Sequence, residues 1–234
     1  MFGVNNLLGH QPGYPTDGSN NLVFLKLYDW RFSEQLRRDH GIEPWTEDTQ
    51  REYINAVRTG AADQFLHNLH PIPKYEDDTC ETWDYVQNET FLADKVRQFF
   101  DAETAAYDRL GDIQGKLVRR LIASVRLDLL VPNTGGDAAE QCFCVKGILL
   151  QYIDGFPLSK AQDDVPRSDW QGIVDQTVTV VQVIGDHNIL NRDVRPDNFI
   201  IQRKGGGSGG GAYTVFMIDF GLVRFRGSDE SDRD

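Results

Sequence analysis

Residues 191–198, with the sequence NRDVRPDN, place an aspartate five positions before an asparagine, between a predicted helix and a predicted strand. Asp193 can accept a proton from a hydroxyl group, and Asn198 can bind a metal ion through its amide oxygen. Turns rich in Asn, Asp and Pro also occur without any chemistry, so a purely structural role stays open. The spacing therefore indicates a candidate catalytic loop.

Residues 218–221, with the sequence IDFG, form a second motif downstream of this loop. A predicted apolar strand delivers Asp219 at its end, and the aromatic Phe220 and the flexible Gly221 follow. A carboxylate in this position can bind Mg²⁺, and the neighbouring phenyl ring can pack into the core and fix its position. The alternative is a charged strand end that precedes a turn.

Two further polar residues occur upstream in predicted apolar elements. Lys26 leaves a strand predicted over residues 22–28 and can reach phosphate oxygens, although an edge-strand lysine that faces solvent is common. Glu103 lies on the apolar stripe of a helix predicted over residues 91–110. A carboxylate on a buried face needs a cationic partner, and Lys26 is the obvious candidate. The alternative is a solvated Glu103.

The order of these residues is a lysine, a helical glutamate, D-x₄-N and then DFG, which is the order expected of a phosphoryl-transfer site. On these motifs the sequence resembles the protein kinase-like fold. The stretches LKLYDWRFSEQLR, GILLQYIDGF and VFMIDFGL are similar to uncharacterised kinase-like proteins that are abundant in fungi. The resemblance implies an α+β, two-lobed fold. Its N-lobe would be a small antiparallel sheet with one long helix, and its C-lobe would be shortened and mostly helical.

The resemblance also implies a role for each residue that matches the kinase-like pattern. Lys26, paired with Glu103, would bind the α- and β-phosphates of ATP, and Asp193 would be the catalytic base. Arg195 stands where many kinases have a phosphate-contacting lysine. The predicted Mg²⁺ ligands are Asn198 and Asp219. The predicted adenine-site residues are Leu150 as gatekeeper, with Gln151 and Ile153 offering backbone groups.

Four features of the chain depart from the kinase-like pattern. No G-x-G-x-x-G motif precedes Lys26, because the glycines of residues 1–21 are scattered. Asn191 replaces the usual histidine, which changes the support of the loop rather than its chemistry. A large insert separates Lys26 from Glu103. The chain also ends soon after Gly221, so that either the C-lobe is minimal or the natural chain continues beyond Asp234.

The predicted domain organisation has four parts. An irregular N-terminal segment covers residues 1–21, and the N-lobe covers residues 22–153, with the insert at about residues 31–90. A minimal C-lobe covers residues 154–226, and an acidic tail covers residues 227–234. Gly205–Gly211, with the sequence GGGSGGG, is a flexible low-complexity loop of natural or engineered origin.

Local patterns predict the remaining elements. The sequence predicts helices over residues 46–58 and 168–185, with a capping box between Ser168 and Gln171 in the second. It predicts strands over residues 121–127, 142–153, 199–201 and 215–218, with a hairpin loop at residues 132–140. Residues 74–89 are acidic and are predicted to form a loop. The predicted buried face of the helix at 168–185 consists of Trp170, Ile173, Val174, Thr177, Val181 and Ile184.

Composition limits the classes of partner. The 234 residues include 24 Lys and Arg against 36 Asp and Glu, which gives a net charge of −12. This charge argues against a nucleic-acid-binding face and against an anionic membrane surface. No apolar run is long enough for a membrane helix, and no secretory signal begins the chain.

Three cysteines without a CxxC pair argue against a disulfide framework or a zinc site. The expected compartment is the reducing cytoplasm, with the nucleus as the alternative.

Three functions are consistent with these observations. The first is an ATP- and Mg²⁺-dependent phosphotransferase that transfers the γ-phosphate to a hydroxyl group. A protein, a small molecule or the chain itself would each suit Asp193 as the acceptor. The second is a pseudokinase that binds a nucleotide or a partner protein without turnover, which the missing glycine-rich loop favours. The third is an interaction module that binds no nucleotide.

Overall fold

A computed structural model describes residues 7–10 by their backbone, and residues 22–128, 144–204, 213–227 and 230 in full. By internal contacts the chain divides into two compact units. The described part of the first unit consists of Lys26–Phe100 and residues 125–128 and 144–147. The second unit contains the other described residues. The lobe boundaries named above stay predictions.

The described residues form seven α-helices and nine strands, joined in places by short 3₁₀ turns. The helices are α1 Glu34–Asp39, α2 Glu47–Thr59, α3 Ala61–Leu69, α4 Tyr75–Thr79, α5 Tyr85–Arg109, α6 Ala161–Asp164 and α7 Trp170–Asp186. The strands are β1 Leu7–His10, β2 Leu22–Tyr28, β3 Leu121–Asp128, β4 Cys144–Gln151, β5 Phe156–Pro157, β6 Ile189–Asn191, β7 Phe199–Arg203, β8 Tyr213–Met217 and β9 Val223–Phe225. The described residues combine helices with antiparallel strand pairs, so the fold is α+β, as predicted. In the described ranges, no helix is both long enough and apolar enough to cross a bilayer.

The largest sheet has four strands in the order β1-β2-β4-β3. Strand β1 pairs antiparallel with β2, with Leu7 opposite Leu25. The prediction that residues 1–21 are irregular is therefore wrong for residues 7–10, while the other residues of that range lie outside the described part. In β4, a Cβ atom at Gly147 would lie 2.8 Å from the Lys26 carbonyl oxygen. Only glycine allows this close approach of the two backbones.

The insert at about residues 31–90 is helical and belongs to the first unit. Its helices pack around an aromatic and aliphatic core that includes Trp30, Tyr53 and Phe91. Glu89 is buried in this core, where Arg37 Nη1 donates to its Oε1 at 2.8 Å. Trp30 Nε1 donates to Glu89 Oε2 at 3.2 Å. Both carboxylate oxygens are thus hydrogen-bonded, as a buried charge requires.

The start of α5 corrects the prediction of a loop over residues 74–89. Helix α4 lies in this range, and α5 begins at Tyr85, six residues before the predicted start at 91. Asp84 Oδ1 accepts from the Gln87 backbone N–H at 2.8 Å, while Gln87 Oε1 accepts from the Asp84 N–H at 3.0 Å. This reciprocal capping box satisfies two backbone donors at the helix start. The D-x-x-Q spacing of Asp84 and Gln87 indicates a helix start, whereas the acidic composition of residues 74–89 favoured a loop.

Helix α7 differs from its prediction in its N-cap and in the set of residues that it buries. Its N-cap is Asp169, which makes no side-chain capping bond, so the predicted capping box of Ser168 and Gln171 is wrong. Instead, Gln171 Nε2 donates to Asp175 Oδ1 at 2.8 Å. The buried residues of α7 are Ile173, Val180 and Ile184. The predicted face was too wide, because Trp170 is 37% exposed and Val174 is 51% exposed.

An ion pair at the C-terminus of α7 predicts a pH-dependent stability. His187 Nδ1 lies 2.7 Å from the Val183 carbonyl oxygen, and Nε2 lies 2.9 Å from Asp112 Oδ1. Both ring nitrogens face acceptors, which favours the doubly protonated imidazolium. The backbone bond to Val183 raises the pKa of His187, and Asp112 acts in the same direction. The stability from this pair is therefore full below the unfolded-state pKa of about 6.5. It is lost as pH rises through the raised folded-state pKa.

We expect Asp112→Asn to lower the Tm slightly at about pH 5.5, where His187 is charged and Asp112 is ionised, and to have no effect at about pH 9. Thermal denaturation followed by circular dichroism across this range measures the difference. Asp108→Asn is the matched control, since Asp108 is exposed and the substitution removes the same charge. A Tm difference that is independent of pH would contradict the ion-pair assignment.

Candidate functional site

The second unit brings the two sequence motifs together through backbone pairing. Strand β6 pairs antiparallel with β9, with Asn191 opposite Val223. The Arg192 N–H donates to the Leu222 carbonyl oxygen at 2.9 Å. The segment after β6 carries Asp193, and the segment before β9 carries Asp219. Their pairing therefore places the candidate catalytic loop beside the DFG motif.

Asn191 connects these two segments by its side chain. It is buried, and its Nδ2 donates to the Asp219 carbonyl oxygen at 3.1 Å. Its Oδ1 accepts from the Asp193 N–H at 2.8 Å. One amide thus binds the backbone of both motifs, which is the supporting role expected at this position. An asparagine suits this role because its amide offers a donor and an acceptor together.

Asp193 lies within a small polar network. Asn198 Nδ2 donates to Asp193 Oδ2 and to the Asp193 carbonyl oxygen, both at 2.8 Å. Arg195 Nη2 lies 3.1 Å from the same Oδ2. Within the described part of the chain, Asp193 Oδ1 makes no hydrogen bond that competes with an incoming group. The carboxylate is therefore oriented through one oxygen and can accept a proton at the other.

A β-hairpin places Asn198 and Asp219 at the same end of two strands. Strands β7 and β8 pair antiparallel, with Phe199 opposite Met217. The Ile218 N–H donates to the Asn198 carbonyl oxygen at 2.8 Å, which continues this register by one residue. The loop at Gly205–Gly211 connects the two strands and lies outside the described residues. The hairpin thus delivers both predicted metal ligands to neighbouring positions.

The donors at these positions suit Mg²⁺. Because Asn198 donates its Nδ2 hydrogens to Asp193, its Oδ1 is the atom that can bind a cation. Carboxylate and amide oxygens are ligands that Mg²⁺ accepts, and it commonly takes only one or two from the protein. In the described ranges, no three His, Cys, Asp or Glu side chains converge as a metal cluster. The residues present therefore fit an ion that completes its coordination with water and phosphate.

The DFG motif adopts a constrained conformation. Asp219 has φ +69°, a left-handed conformation that Asp and Asn tolerate better than most residues. The Gly221 N–H donates to Asp219 Oδ1 at 3.2 Å. Phe220 is fully buried and packs edge-to-face on Tyr107, with ring centroids 5.4 Å apart. This confirms that the phenyl ring packs into the core next to the candidate metal ligand.

Lys26 and Glu103 are both buried, and each belongs to a different unit. In the first unit, Lys26 is 7% exposed, and its Nζ lies 5.3 Å from the centroid of the Tyr28 ring. In the second unit, Glu103 on α5 is 1% exposed, so the prediction that it lies on a buried face is confirmed. The pairing of Lys26 with Glu103 stays a prediction.

The three predicted adenine-site residues lie at the end of β4 and just after it. Leu150 and Ile153 are buried. The Gln151 N–H donates to the Arg120 carbonyl oxygen at 2.8 Å, and Gln151 Oε1 accepts from the Arg120 N–H at 3.3 Å. Strand pairing thus occupies the Gln151 backbone donor. Of its backbone groups, the carbonyl is the one that an adenine amino group can use.

One charged residue near the DFG motif was absent from the sequence-based site. Arg119 is 6% exposed, in the second unit. Burial lowers the pKa of Arg119, whereas Tyr107, Glu103 and Asp219 raise it. Burial also raises the pKa of the Tyr107 hydroxyl well above its usual value, and Glu103 raises it further. Arg119 is followed by the exposed Arg120, and β3 begins at the next residue. Two adjacent arginines before a strand gave no signal that one of the two charges is buried.

We expect Asn191→Ala to destabilise the fold by about 1–3 kcal/mol, because it leaves the partly buried Asp193 N–H and Asp219 C=O without their partners. Chemical denaturation measures this change. Leu190→Ala is the control, since the neighbouring Leu190 is 59% exposed. Equal stability of Asn191→Ala and the wild type would contradict the bridging role of this amide.

Comparison with curated proteins gives short matches to protein kinases. The chain is 40% identical over 50 residues to casein kinase I homolog 2 of Schizosaccharomyces pombe, which covers 21% of this chain and 11% of that protein. It is 29% identical over 79 residues to serine/threonine-protein kinase 36 of Pongo abelii, which covers 33% of this chain and 5% of that protein. The matches thus span a small part of each curated kinase. No family model matches the chain.

Comparison with solved structures gives partial similarities, including one to a Rio2 kinase complex and one to a WaaP complex. The Rio2 kinase–ADP/Mg²⁺–phosphoaspartate complex from Chaetomium thermophilum aligns at a TM-score of 0.40 and 15% identity, over 55% of this chain and 32% of that chain. WaaP in complex with acyl carrier protein aligns at a TM-score of 0.36 and 16% identity, over 53% of this chain and 49% of that chain. Each similarity covers about half of this chain.

Proposed function

We propose that this protein is an ATP- and Mg²⁺-dependent phosphotransferase that transfers the γ-phosphate to a hydroxyl group. The observation that carries this proposal is the hydrogen-bonded arrangement of Asp193, Asn198 and Asn191 beside the DFG motif. This arrangement provides the oriented carboxylate of Asp193 next to Asn198 and Asp219, whose side-chain oxygens can bind a cation. These are the groups that phosphoryl transfer requires of a protein.

Asp193 is the proposed base. Its Oδ2 is held by Asn198 and Arg195, so Oδ1 is the atom that accepts the proton of the attacking hydroxyl. The Asn191 side chain fixes the backbone of this residue and thereby its position relative to Asp219. Accurate placement accounts for much of the rate in such reactions, because the chain performs little covalent chemistry itself.

Asn198 and Asp219 are the proposed Mg²⁺ ligands. Bound Mg·ATP would supply the phosphoryl group and partly neutralise its charge. The Gly221 N–H and the packing of Phe220 on Tyr107 hold Asp219 in the orientation that its φ angle sets. Protein groups that are already in place need no reorganisation when the nucleotide binds.

The remaining roles follow from the resemblance to kinase-like proteins. Lys26 and Glu103 are proposed to bind the α- and β-phosphates as a pair, and Arg195 to contact phosphate. Leu150, Gln151 and Ile153 are proposed to bind the adenine. The acceptor is the hydroxyl group of a protein or a small molecule. The proposed location is the cytoplasm or the nucleus.

Nucleotide binding without turnover is the second candidate function. The absence of a G-x-G-x-x-G motif before Lys26 favours it, because that motif covers the phosphates in protein kinases. Under this function the protein would act as a pseudokinase-type binding or scaffold module. Binding and turnover measured on the same sample separate the two candidates.

Calorimetric titration of ATP, with Mg²⁺ and with EDTA, tests the proposal directly. We expect Mg²⁺-dependent binding, followed by slow release of ADP that accelerates when a hydroxyl acceptor is added. Binding without any ADP release, with protein and small-molecule acceptors present, would favour the pseudokinase function. The absence of binding in both titrations would refute both nucleotide-dependent functions.

A further inference from the structure

Backbone contacts place Arg119 beside the segment that leads to Asp219. Val118 forms a parallel bridge with Met217, and the Met217 N–H donates to the Leu117 carbonyl oxygen at 2.9 Å. In a parallel register, the residue after Val118 lies beside the residue after Met217. Arg119 therefore runs alongside Ile218, one residue before the candidate Mg²⁺ ligand.

The side chain of Arg119 is buried, and this burial lowers its pKa overall. Its Cζ lies 4.5 Å from the centroid of the Phe24 ring, in a cation–π contact. Tyr107, Glu103, Asp219 and Tyr152 oppose the effect of burial on its pKa. A guanidinium also loses its proton far less readily than an ammonium group. Arg119 is therefore a fixed cation close to the DFG motif.

The hydrogen bonding of this cation is incomplete. Arg119 Nε is buried and has no hydrogen-bond partner within the part of the chain that the structure describes. The Tyr107 hydroxyl, which is also buried, has none either. A buried donor without an acceptor destabilises the fold, and more so when it is charged. A ligand that binds beside Arg119 can supply the acceptor that the protein does not provide.

We propose that Arg119 is a phosphate-binding residue whose guanidinium donates to a phosphate oxygen of the bound nucleotide. This inference rests on the proposed function, because it assumes that the protein binds a nucleoside phosphate near Asp219. Phosphate offers several anionic acceptors on one centre, and the planar guanidinium fork matches this geometry. Arg119 thus adds a cation to the site from the segment before β3, where the kinase-like resemblance assigns no such residue.

A purely structural role for Arg119 predicts a different result. A counter-ion that only balances Glu103 and Asp219 would change the stability of the fold and would affect all ligands of the site alike. A phosphate-binding residue discriminates between ligands that carry phosphate and ligands that lack it. Adenosine and ADP provide that contrast with the same base and sugar.

The test measures the Kd values of adenosine, ADP and ATP for Arg119→Gln by calorimetry in the presence of Mg²⁺. We expect the affinity for ADP and ATP to fall by about 10- to 100-fold, as for the loss of one charge-assisted hydrogen bond. The affinity for adenosine should stay within about twofold, well below the effect of one hydrogen bond. Arg120→Gln is the matched control, because Arg120 is the next residue, is exposed and carries the same charge. It should leave all three affinities unchanged.

The possible outcomes separate this inference from the proposed function. If the wild type binds ATP, and Arg119→Gln binds ADP and ATP as tightly as the wild type does, the inference fails while the proposed function stands. An equal loss for adenosine and ADP would likewise refute it in favour of a structural role. If the wild type binds no nucleotide, both fail together.

A second variant covers the case in which Arg119→Gln does not fold. Arg119→Lys keeps the buried charge but loses the planar fork and Nε, so we expect a loss of about two- to tenfold for ADP, with adenosine unaffected. In that case, wild-type affinity of Arg119→Lys for ADP would overturn the inference. The Tm of each unliganded variant shows separately how much of the effect arises from stability.

Discussion

Asp193→Asn is expected to lower kcat by about 10²- to 10⁴-fold, the range for removal of a general base. The affinity for Mg·ATP should stay within about twofold, because the proposed role of Asp193 is at the acceptor hydroxyl and not at the nucleotide. Asparagine keeps the shape of the side chain and can still accept from Asn198 Nδ2. A single-turnover measurement of ADP release, together with calorimetric titration of ATP, separates the two parameters.

Asp197→Asn is the matched control for this experiment. Asp197 is exposed, lies four residues beyond Asp193 and accepts a hydrogen bond from Ser159 Oγ at 2.5 Å. The substitution removes the same charge from the same loop but leaves the proposed base in place. We expect nearly wild-type turnover from it. An unchanged rate in Asp193→Asn would show that Asp193 is not the base.

Asp219→Asn is expected to abolish most of the gain in ATP affinity that Mg²⁺ provides. Substitution of the outer partners of a metal site costs about 10- to 100-fold in metal affinity, so loss of a direct ligand should cost at least as much. Asparagine is the informative replacement, because Asp219 has φ +69° and Asn tolerates this left-handed conformation, unlike Ala. A loss of affinity then reports the missing charge rather than backbone strain.

Titrations of ATP with Mg²⁺ and with EDTA measure this effect in Asp219→Asn and in the wild type. Asp175→Asn on α7 is the control, since Asp175 is exposed and the charge change is the same. The affinity in EDTA should be similar in all three proteins. If Asp219→Asn retains the full difference between Mg²⁺ and EDTA, Asp219 is not a metal ligand.

Residue type and local spacing were sufficient to predict several features. The apolar stripe of α5 predicted that Glu103 is buried, and the strand–turn pattern predicted that Phe220 packs into the core beside Asp219. Both predictions are confirmed, because the period of a helix and the end of a strand depend on neighbouring residues. The α+β class was expected from the resemblance of the motifs to the kinase-like fold.

Contacts between residues distant in the sequence decided the rest. Asn191 binds the backbone at Asp219, 28 residues away, and the bridge between Val118 and Met217 places Arg119 next to the DFG motif. The exposed positions of α7 likewise depended on which of its sides packs against β6 and β8. A sequence pattern indicates which side chains can be buried. Strand pairing then sets the hydrogen-bond partners of a buried group and the charges around it. By itself, the sequence determined which residues could perform phosphoryl transfer. Only the tertiary structure decided which of them are held together, because long-range pairing fixes the distances on which hydrogen bonds depend.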